Sequence, residues 1–530
     1  MKIPALFLLL VVSLIPLFAD EGQHHEELTS AQLGMVHFPT SCSAPAQEAF
    51  TRGVALLHSF WYEEAEKAFQ QAADADPRCA IAHWGSAMSL WHQLWNHPNA
   101  ETIKKGLAEV KKAKSLHAKT GRERDYIAAA YAFYSGPAKR DFEQRARLYA
   151  AAMERVYQRY PEDHEGAAFY ALALLAQEPG KSKEASAILE KLFAQEPNHP
   201  GVAHYLIHSY DSPERAELGL PAARRYAQIA PAAPHALHMP SHIFARLGLW
   251  QDDIDSNLAS IAASRHSAEM HMGGESHEFH AMDFLVYAYL QSGREAEARQ
   301  VIEQLKAMPP MKDMYGEGFD PHITDLVAFE ASYAIETHAW AQAAALTVPE
   351  GATPGDSSIT HWARAVGAAR NHNVSEARAE VKEIEAILEQ LRKEKHPQFM
   401  MHAVDRDRIE SQAWADFAEG KRDEAVAQMR KLAEEVNSTF QASDQIPARE
   451  MLADMLLEMK QPDQALVEYQ ADLKVDPNRF DGLYGAARAA EMSGKPEQAR
   501  GYYAQLEKQC ADSGSQRPEL AQARTVLHGE

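Results

Sequence analysis

The sequence predicts an all-α chain, a solenoid of stacked antiparallel helix pairs, and three observations carry that prediction. First, an Ala followed by a large apolar residue four positions on and a Pro twelve positions on recurs along the chain. It occurs at Ala65, Phe69, Pro77; Ala185, Leu189, Pro197; Ala222, Tyr226, Pro234; and Ala465, Tyr469, Pro477. Second, Ala499 and Tyr503 follow Ala465 and Tyr469 by 34 residues, so the spacing is a period as well as a motif. Third, a chain that is 46% hydrophobic and 24% charged, with 27 Gly and 27 Pro, has the composition of a folded globular protein and excludes disorder and collagen.

That period and those residues are the tetratricopeptide-repeat (TPR) pattern. In each unit small residues let two helices approach, the large apolar residue fills the gap between them, and the proline ends the second helix. The prediction is a TPR superhelix, or α-solenoid, of ten to twelve pairs. Weaker units end their first helix at Gly293, His372 and Gly420 ahead of Ala298, Ala377 and Ala425. Degenerate ones lie around Trp84-Gly85, from Tyr126 to Tyr160, and from Asp325 to Ala344.

Taken in order, Met1-Lys2 and the apolar run from Ile3 to Ala19 read as a signal peptide over residues 1–19, too short and too proline-flanked for a membrane span. Residues 20–45 form a leader, and 46–348 a first TPR array. The turn formers from Pro349 to Ser358 predict a hinge over 349–358, with Met308 to Pro321 as the second choice of boundary. Residues 359–510 continue as a C-terminal array, and 511–530 form a polar tail with a capping helix after Ser515. Export implies an oxidising compartment, in which the three cysteines divide into a Cys42–Cys79 disulfide and a leftover Cys510.

A net charge of −22 disfavours nucleic acid and anionic lipid as partners. No HExxH, GxSxG, GxxxxGK[ST], GxGxxG or CxxC motif occurs, so the common metalloprotease, hydrolase, nucleotide and thiol-redox signatures are missing. The stretches His37-Phe-Pro-Thr-Ser-Cys42 to Trp91 and Pro234-His-Ala-Leu-His-Met-Pro-Ser-His-Ile-Phe244 are distinctive. Through them most of residues 37–305 resembles a family of exported bacterial TPR proteins. The resemblance implies the fold and export, and leaves the activity to be read from the residues.

Ten of the 26 histidines lie between His199 and His280. The repeat frame puts three positions of each first helix on the concave face. They are Gly201, His204 and His208 in one unit, His235, His238 and His242 in the next, and His280, Asp283 and Tyr287 in the third. Helix geometry supports this independently, because residues three or four apart share a face. His204, His208, His235, His238, His242, His280 and Asp283 are therefore the predicted metal ligands, since imidazole and carboxylate suit Cu, Zn or Fe. Free imidazole titrates near pH 6.5, so binding is expected to weaken below about pH 6. Asp253 and Asn257, polar where the repeat wants apolar residues, are expected to brace the histidines. The loop from Arg265 to His277 is expected to fold over the groove as a lid carrying Met270, His271 and Met272.

Leu56 to Tyr62, Trp84, Trp91 and Trp95 read as core, with His58, His83 and His92 as buried hydrogen-bonders. Two functions remain: a scaffold that binds a peptide or partner protein in its concave groove and carries the histidine metal site, or a metalloenzyme built on those histidines. Against both stands the plainer role of groove histidines that hydrogen-bond a peptide, each other, or the carbonyls freed by Pro240.

Overall fold

The computed structural model describes residues 28–529 apart from 95–97, 138, 178–180, 310, 312–319 and 436–445. The signal peptide, Trp95 and most of the 308–321 boundary lie outside the described residues. Every regular element among the described residues is a helix. After a short opening helix, Ser30–Leu33, the chain runs through Ala44–His58 with Tyr62–Ala75, Ala80–Ser89 with Ala100–Ser115, Gly121–Tyr134 with Phe142–Arg159, and His164–Leu175 with Ser182–Gln195. The central pairs are Pro200–Tyr210 with Ala216–Ile229, a first helix broken into Pro234–His238 and Pro240–Arg246 with Trp250–Glu269, Glu275–Gln291 with Glu295–Ala307, and Pro321–Glu336 with the stub Trp340–Ala344. The last four are Pro354–Arg370 with Val374–Glu394, Gln398–Glu419 with Arg422–Glu435, Ala448–Glu458 with Pro462–Asp472, and Phe480–Met492 with Pro496–Gln509, before the closing helix Pro518–His528. Twelve pairs result among the described residues, the upper end of the expected range, and the fold is an all-α TPR superhelix.

The small residues work as the pattern requires. Ala65, Ala185, Ala222, Ala465 and Ala499 are fully or almost fully buried, as are Phe69, Leu189, Tyr226, Tyr469 and Tyr503. A Cβ at Gly85 would stand 2.3 Å from Phe69 Cδ1, so only glycine lets the second pair settle on that ring. Gly293, His372 and Gly420, read as first-helix ends, all take positive φ there.

Three expectations need correction. From residue 28 onward the leader is part of the fold: Leu33 and Phe38 are buried, and Phe38 packs on Phe50, Trp84 and Tyr126. The first repeat helix accordingly starts at Ala44, earlier than residue 46. The 349–358 hinge is only half loop, because Pro354 to Ser358 form the first turn of Pro354–Arg370. Its start is fixed by a capping box in which Thr353 Oγ1 accepts from the Asp356 amide and Asp356 accepts from the Thr353 amide. Proline, glycine and serine there are helix-start residues, and the composition alone did not separate the two uses. The apolar core also crosses the loop, since Ala334 and Ile335 share one core with Trp362 and Val366; the core divides instead between Phe244 and Ala245.

Cys42 and Cys79 are disulfide-bonded, with Cα atoms 5.0 Å apart, and Cys510 is free and buried. The bond fastens the leader to the start of the second pair, where Glu123 also takes hydrogen bonds from the Ser41 amide and hydroxyl, both at 2.7 Å. The tail helix buries Leu520 and Ala523. No helix among the described residues is long and apolar enough to cross a membrane.

The superhelix closes on itself. Gly248 lies so near the Pro477 carbonyl that a Cβ would come within 2.3 Å of its oxygen. Next to it Trp250 Nε1 donates to the Asn478 carbonyl at 2.7 Å, and Asn478 Nδ2 donates to the Gly248 carbonyl at 3.0 Å. The fully buried Arg479 ties the seam together. It donates to the Tyr287 hydroxyl at 2.7 Å, to Glu336 at 2.8 Å, and with two nitrogens to Glu450 at 2.9 and 3.0 Å.

Candidate metal centre

Six of the seven predicted ligands meet on one face of three successive first helices. His204 and His208 stand one turn apart on Pro200–Tyr210, and His280 lies near the start of Glu275–Gln291. Between them, His235 and His238 sit on Pro234–His238 and His242 on Pro240–Arg246. Pro240 has no amide proton, so the middle helix breaks its hydrogen-bond ladder at this point. Serine hydroxyls from the paired helix donate to carbonyls beside the break: Ser256 to Leu237 at 2.5 Å and Ser260 to Pro234 at 2.9 Å. The imidazoles are thus left for other work.

The imidazole nitrogens form two sets. His204 Nε2 lies 3.1 Å from His208 Nε2 and 3.2 Å from His235 Nε2. In the second set, His238 Nε2 lies 3.1 Å from His242 Nε2. His280 completes that set, and within each set the potential ligand atoms lie within 4.8 Å of one another. Asp283 belongs to neither set, although it sits within one turn of His280. The i,i+3 argument places a residue on a face but does not set its reach, so the aspartate is withdrawn from the ligand list. Tyr287, the third position of that helix, serves the Arg479 seam.

The tautomers follow from the partners. Asn257 spends its amide protons on the Asp253 carbonyl and carboxylate, at 3.0 and 2.7 Å, so its Oδ1 accepts from His238 Nδ1–H at 2.7 Å. His242 Nδ1–H donates to Asp211 at 2.9 Å, and Asp211 also accepts from Arg246 Nε at 2.9 Å. His204 Nδ1–H donates to the His58 carbonyl at 2.7 Å. Each of these three rings therefore turns an unprotonated Nε2 inward. Two bare lone pairs 3.1 Å apart, as at His238 and His242, repel unless a proton or a metal ion lies between them. Metal–nitrogen bonds of about 2.0–2.1 Å at tetrahedral angles would put ligand nitrogens ~3.3 Å apart, close to the separations within the sets.

Burial weighs against a proton at five of the six rings. His204, His235, His238 and His242 are buried, while His208 and His280 are half-buried at the rim. Burial, reinforced by the neighbouring imidazoles, holds His204, His235 and His238 well below the usual histidine range. For the same first reason His208 and His280 are pushed down to about 3. Protonation of these five is therefore disfavoured, and its onset for them lies below the pH 6 expected from free imidazole. Burial pushes the Asp253 carboxyl well up, whereas Asp211 stays ionised against burial because His242 and Arg246 hold it down. Asp253 and Asn257 do brace the histidines, as a relay from Asp253 through Asn257 to His238.

Residues 58–62 of the first repeat cover the first set: the Phe60 ring lies 4.3 Å from His204 and 5.5 Å from His235, and Trp61 Nε1 donates to the Met272 carbonyl at 3.0 Å. Gly201 permits this approach, for a Cβ there would lie 2.4 Å from His58 Nδ1. The expected lid is smaller than its sequence suggested, because residues 265–269 extend Trp250–Glu269 and residues 275–277 begin Glu275–Gln291. His271 is exposed, and its carbonyl accepts from Lys67 Nζ at 3.1 Å; Met272 packs on the apolar core. His277, which the loop reading missed, is buried with its ring 5.0 Å from that of His235.

Behind the first set lies a hub of different character. Glu165 accepts from His58 Nε2–H at 2.8 Å, from His199 at 3.2 Å and from the His37 amide at 3.0 Å, while Tyr205 donates to His58 Nδ1 at 2.8 Å. These groups could also gather around an ion, but their hydrogen bonds already pair them, and the hub positions the His58 carbonyl under His204. Asp211 and Glu165 escaped sequence reasoning because one lies in a turn and the other outside the three repeat frames. Their only sequence signal was a carboxylate at the end or in the first turn of a repeat helix.

No protein-family model matches the chain, and no curated protein matches it. Among solved structures it is similar to the Cut9–Hcn1 hetero-tetramer of the APC/C, with 11% identity, a TM-score of 0.31 and 90% of each chain covered. The human IFIT1 dimer with m7Gppp-AAAA gives 13% identity and a TM-score of 0.31, covering 82% of this chain and 90% of that one. The P58(IPK) TPR domain gives 11% and 0.20, covering 92% and 99%.

Proposed function

We propose that this protein is an exported TPR scaffold whose central repeats hold a transition metal through His204, His208, His235, His238, His242 and His280. The observation that carries the reading is the approach of the His238 and His242 Nε2 atoms to 3.1 Å, with their Nδ1 atoms turned outward to Asn257 and Asp211 and protonation of the buried His238 disfavoured. Neutral imidazoles suit Cu, Zn, Ni or Fe(II). Export is part of the proposal, supported by the Cys42–Cys79 disulfide, which an oxidising compartment sustains. Stacked repeats are a general surface for peptide and protein partners, but residues 58–62 already occupy the face over His204 and His235, so a docked chain would have to use another part of the superhelix.

Titration of divalent zinc and copper into chelator-treated protein tests the reading. The wild type should bind at micromolar affinity or tighter, and His238→Ala and His242→Ala should each weaken binding at least tenfold while keeping the helical circular dichroism. Absent binding, or binding unchanged in both variants, would return the histidines to a packing role.

A further inference from the structure

The two histidine sets are neighbours. Ring centroids of His208 and His242 lie 6.1 Å apart, and those of His235 and His238 lie 6.0 Å apart, each pair joining one set to the other. Two ions held by these sets would therefore lie side by side. Among the described residues, neither set includes a carboxylate or a thiolate; all six donors are imidazoles. The Asp211 carboxylate that His242 touches is already shared with Arg246.

This lack of negative charge discriminates between metals. Two divalent ions would bring four positive charges into a buried space whose ligands supply none, and charge without compensation is costly at low dielectric. Two monovalent ions halve that charge. Among the metals that imidazole binds, copper is the one with a stable monovalent state. On this ground, and resting on the metal reading above, we propose that the two sets hold a pair of Cu(I) ions that together take up dioxygen. Each Cu(I) gives up one electron and dioxygen accepts both, leaving two Cu(II) ions and one peroxide dianion between them. No proton, further reductant or leaving group enters, and the net charge of the centre stays at two. The half-buried His208 and His280, one from each set, give the pair an edge toward solvent, where a small neutral gas can enter. His242, backed by ionised Asp211, donates most strongly to its ion.

The experiment loads the full chain anaerobically with Cu(I), measures copper per chain, and then adds one equivalent of dioxygen. The expected result is two coppers per chain, dioxygen consumed at one per pair, a new near-ultraviolet charge-transfer absorption, and no Cu(II) paramagnetic resonance, because the two spins pair through the bridge. His208→Ala and His280→Ala each spoil one set at the rim. Each should bind one copper and, after oxidation, show the full resonance of an isolated Cu(II). Two coppers whose spins are all counted after oxidation, or two that take up no dioxygen, would overturn the pair while leaving metal binding intact. One copper per wild-type chain would do the same. No copper in a folded wild-type chain would overturn the metal reading as well.

Discussion

At His238 the acceptor Asn257 holds the Nδ1 proton and so aims a lone pair at His242, whose own proton is held by Asp211. The centre thus depends on residues that would never touch a metal. Asn257→Leu removes the acceptor and releases the tautomer, and it should lower metal affinity about 10–100-fold with all six histidines intact; calorimetric titration reads it. The same burial sets the response to acid. In the metal-free native state His208 and His280 are pushed down to about 3, while in the unfolded chain they titrate near 6.5. Below the unfolded value the unfolded chain takes up protons that the native state refuses, so stability is full above about pH 6.5 and is lost as pH falls toward 3. Metal-free protein should lose its helical circular dichroism cooperatively with a midpoint well above pH 3, and bound metal should shift that midpoint downward. A metal-free chain still folded at pH 3 would show that these histidines protonate in place. The convergence of the six histidines was legible because helix periodicity encodes a face; Asp211, Asn257 Oδ1 as an acceptor and His277 depend on which loop or side chain approaches, which periodicity does not carry. Asp283 was over-read for the same reason.

At the scale of the helix pair, the repeat was legible wherever packing forced a small residue against a large one. Gly85 shows how tight that constraint is. Gly85→Ala would push a methyl into the Phe69 ring and should destabilise the protein by about 1–3 kcal/mol. By contrast, Gly501, inside Pro496–Gln509, has nothing within 4 Å of a built Cβ. Gly501→Ala should therefore stabilise by about 0.5–1 kcal/mol through the helix alone. Urea denaturation of the two variants measures both, and equal effects would mean that the pairs do not pack as described. Loops were less legible than helices. Pro349 to Ser358 mixes a true turn with a capped helix start, and only the Thr353–Asp356 capping box separates them. Pro240 reads in sequence as a helix breaker, yet Met239 keeps helical angles through the break, and serines of the paired helix donate to the carbonyls of Leu237 and Pro234 beside it.

For the whole molecule, the repeat pattern announces a superhelix but not which distant units touch. The seam at Gly248, Asn478 and Arg479 joins units far apart in sequence, and no local pattern marks it. Arg479 is fully buried between Glu336 and Glu450, and burial together with the neighbouring Glu336 pushes Glu450 up to about 7 despite the arginine. Arg479→Met would leave two buried carboxylates without their cation, and it should cost about 3–5 kcal/mol and expose the seam to protease. Loss of stability without new cleavage near 477–481 would place the damage elsewhere. The central repeats bury His204, His235, His238 and His242 and leave His208 and His280 half-buried. Diffraction from crystals of metal-loaded protein, recorded on both sides of the metal's absorption edge, reads the contents of that site most directly. Anomalous peaks bonded to the Nε2 atoms of His204, His208 and His235 and of His238, His242 and His280 are the predicted result. A site free of such peaks, with the six imidazoles keeping the same mutual distances, would contradict it.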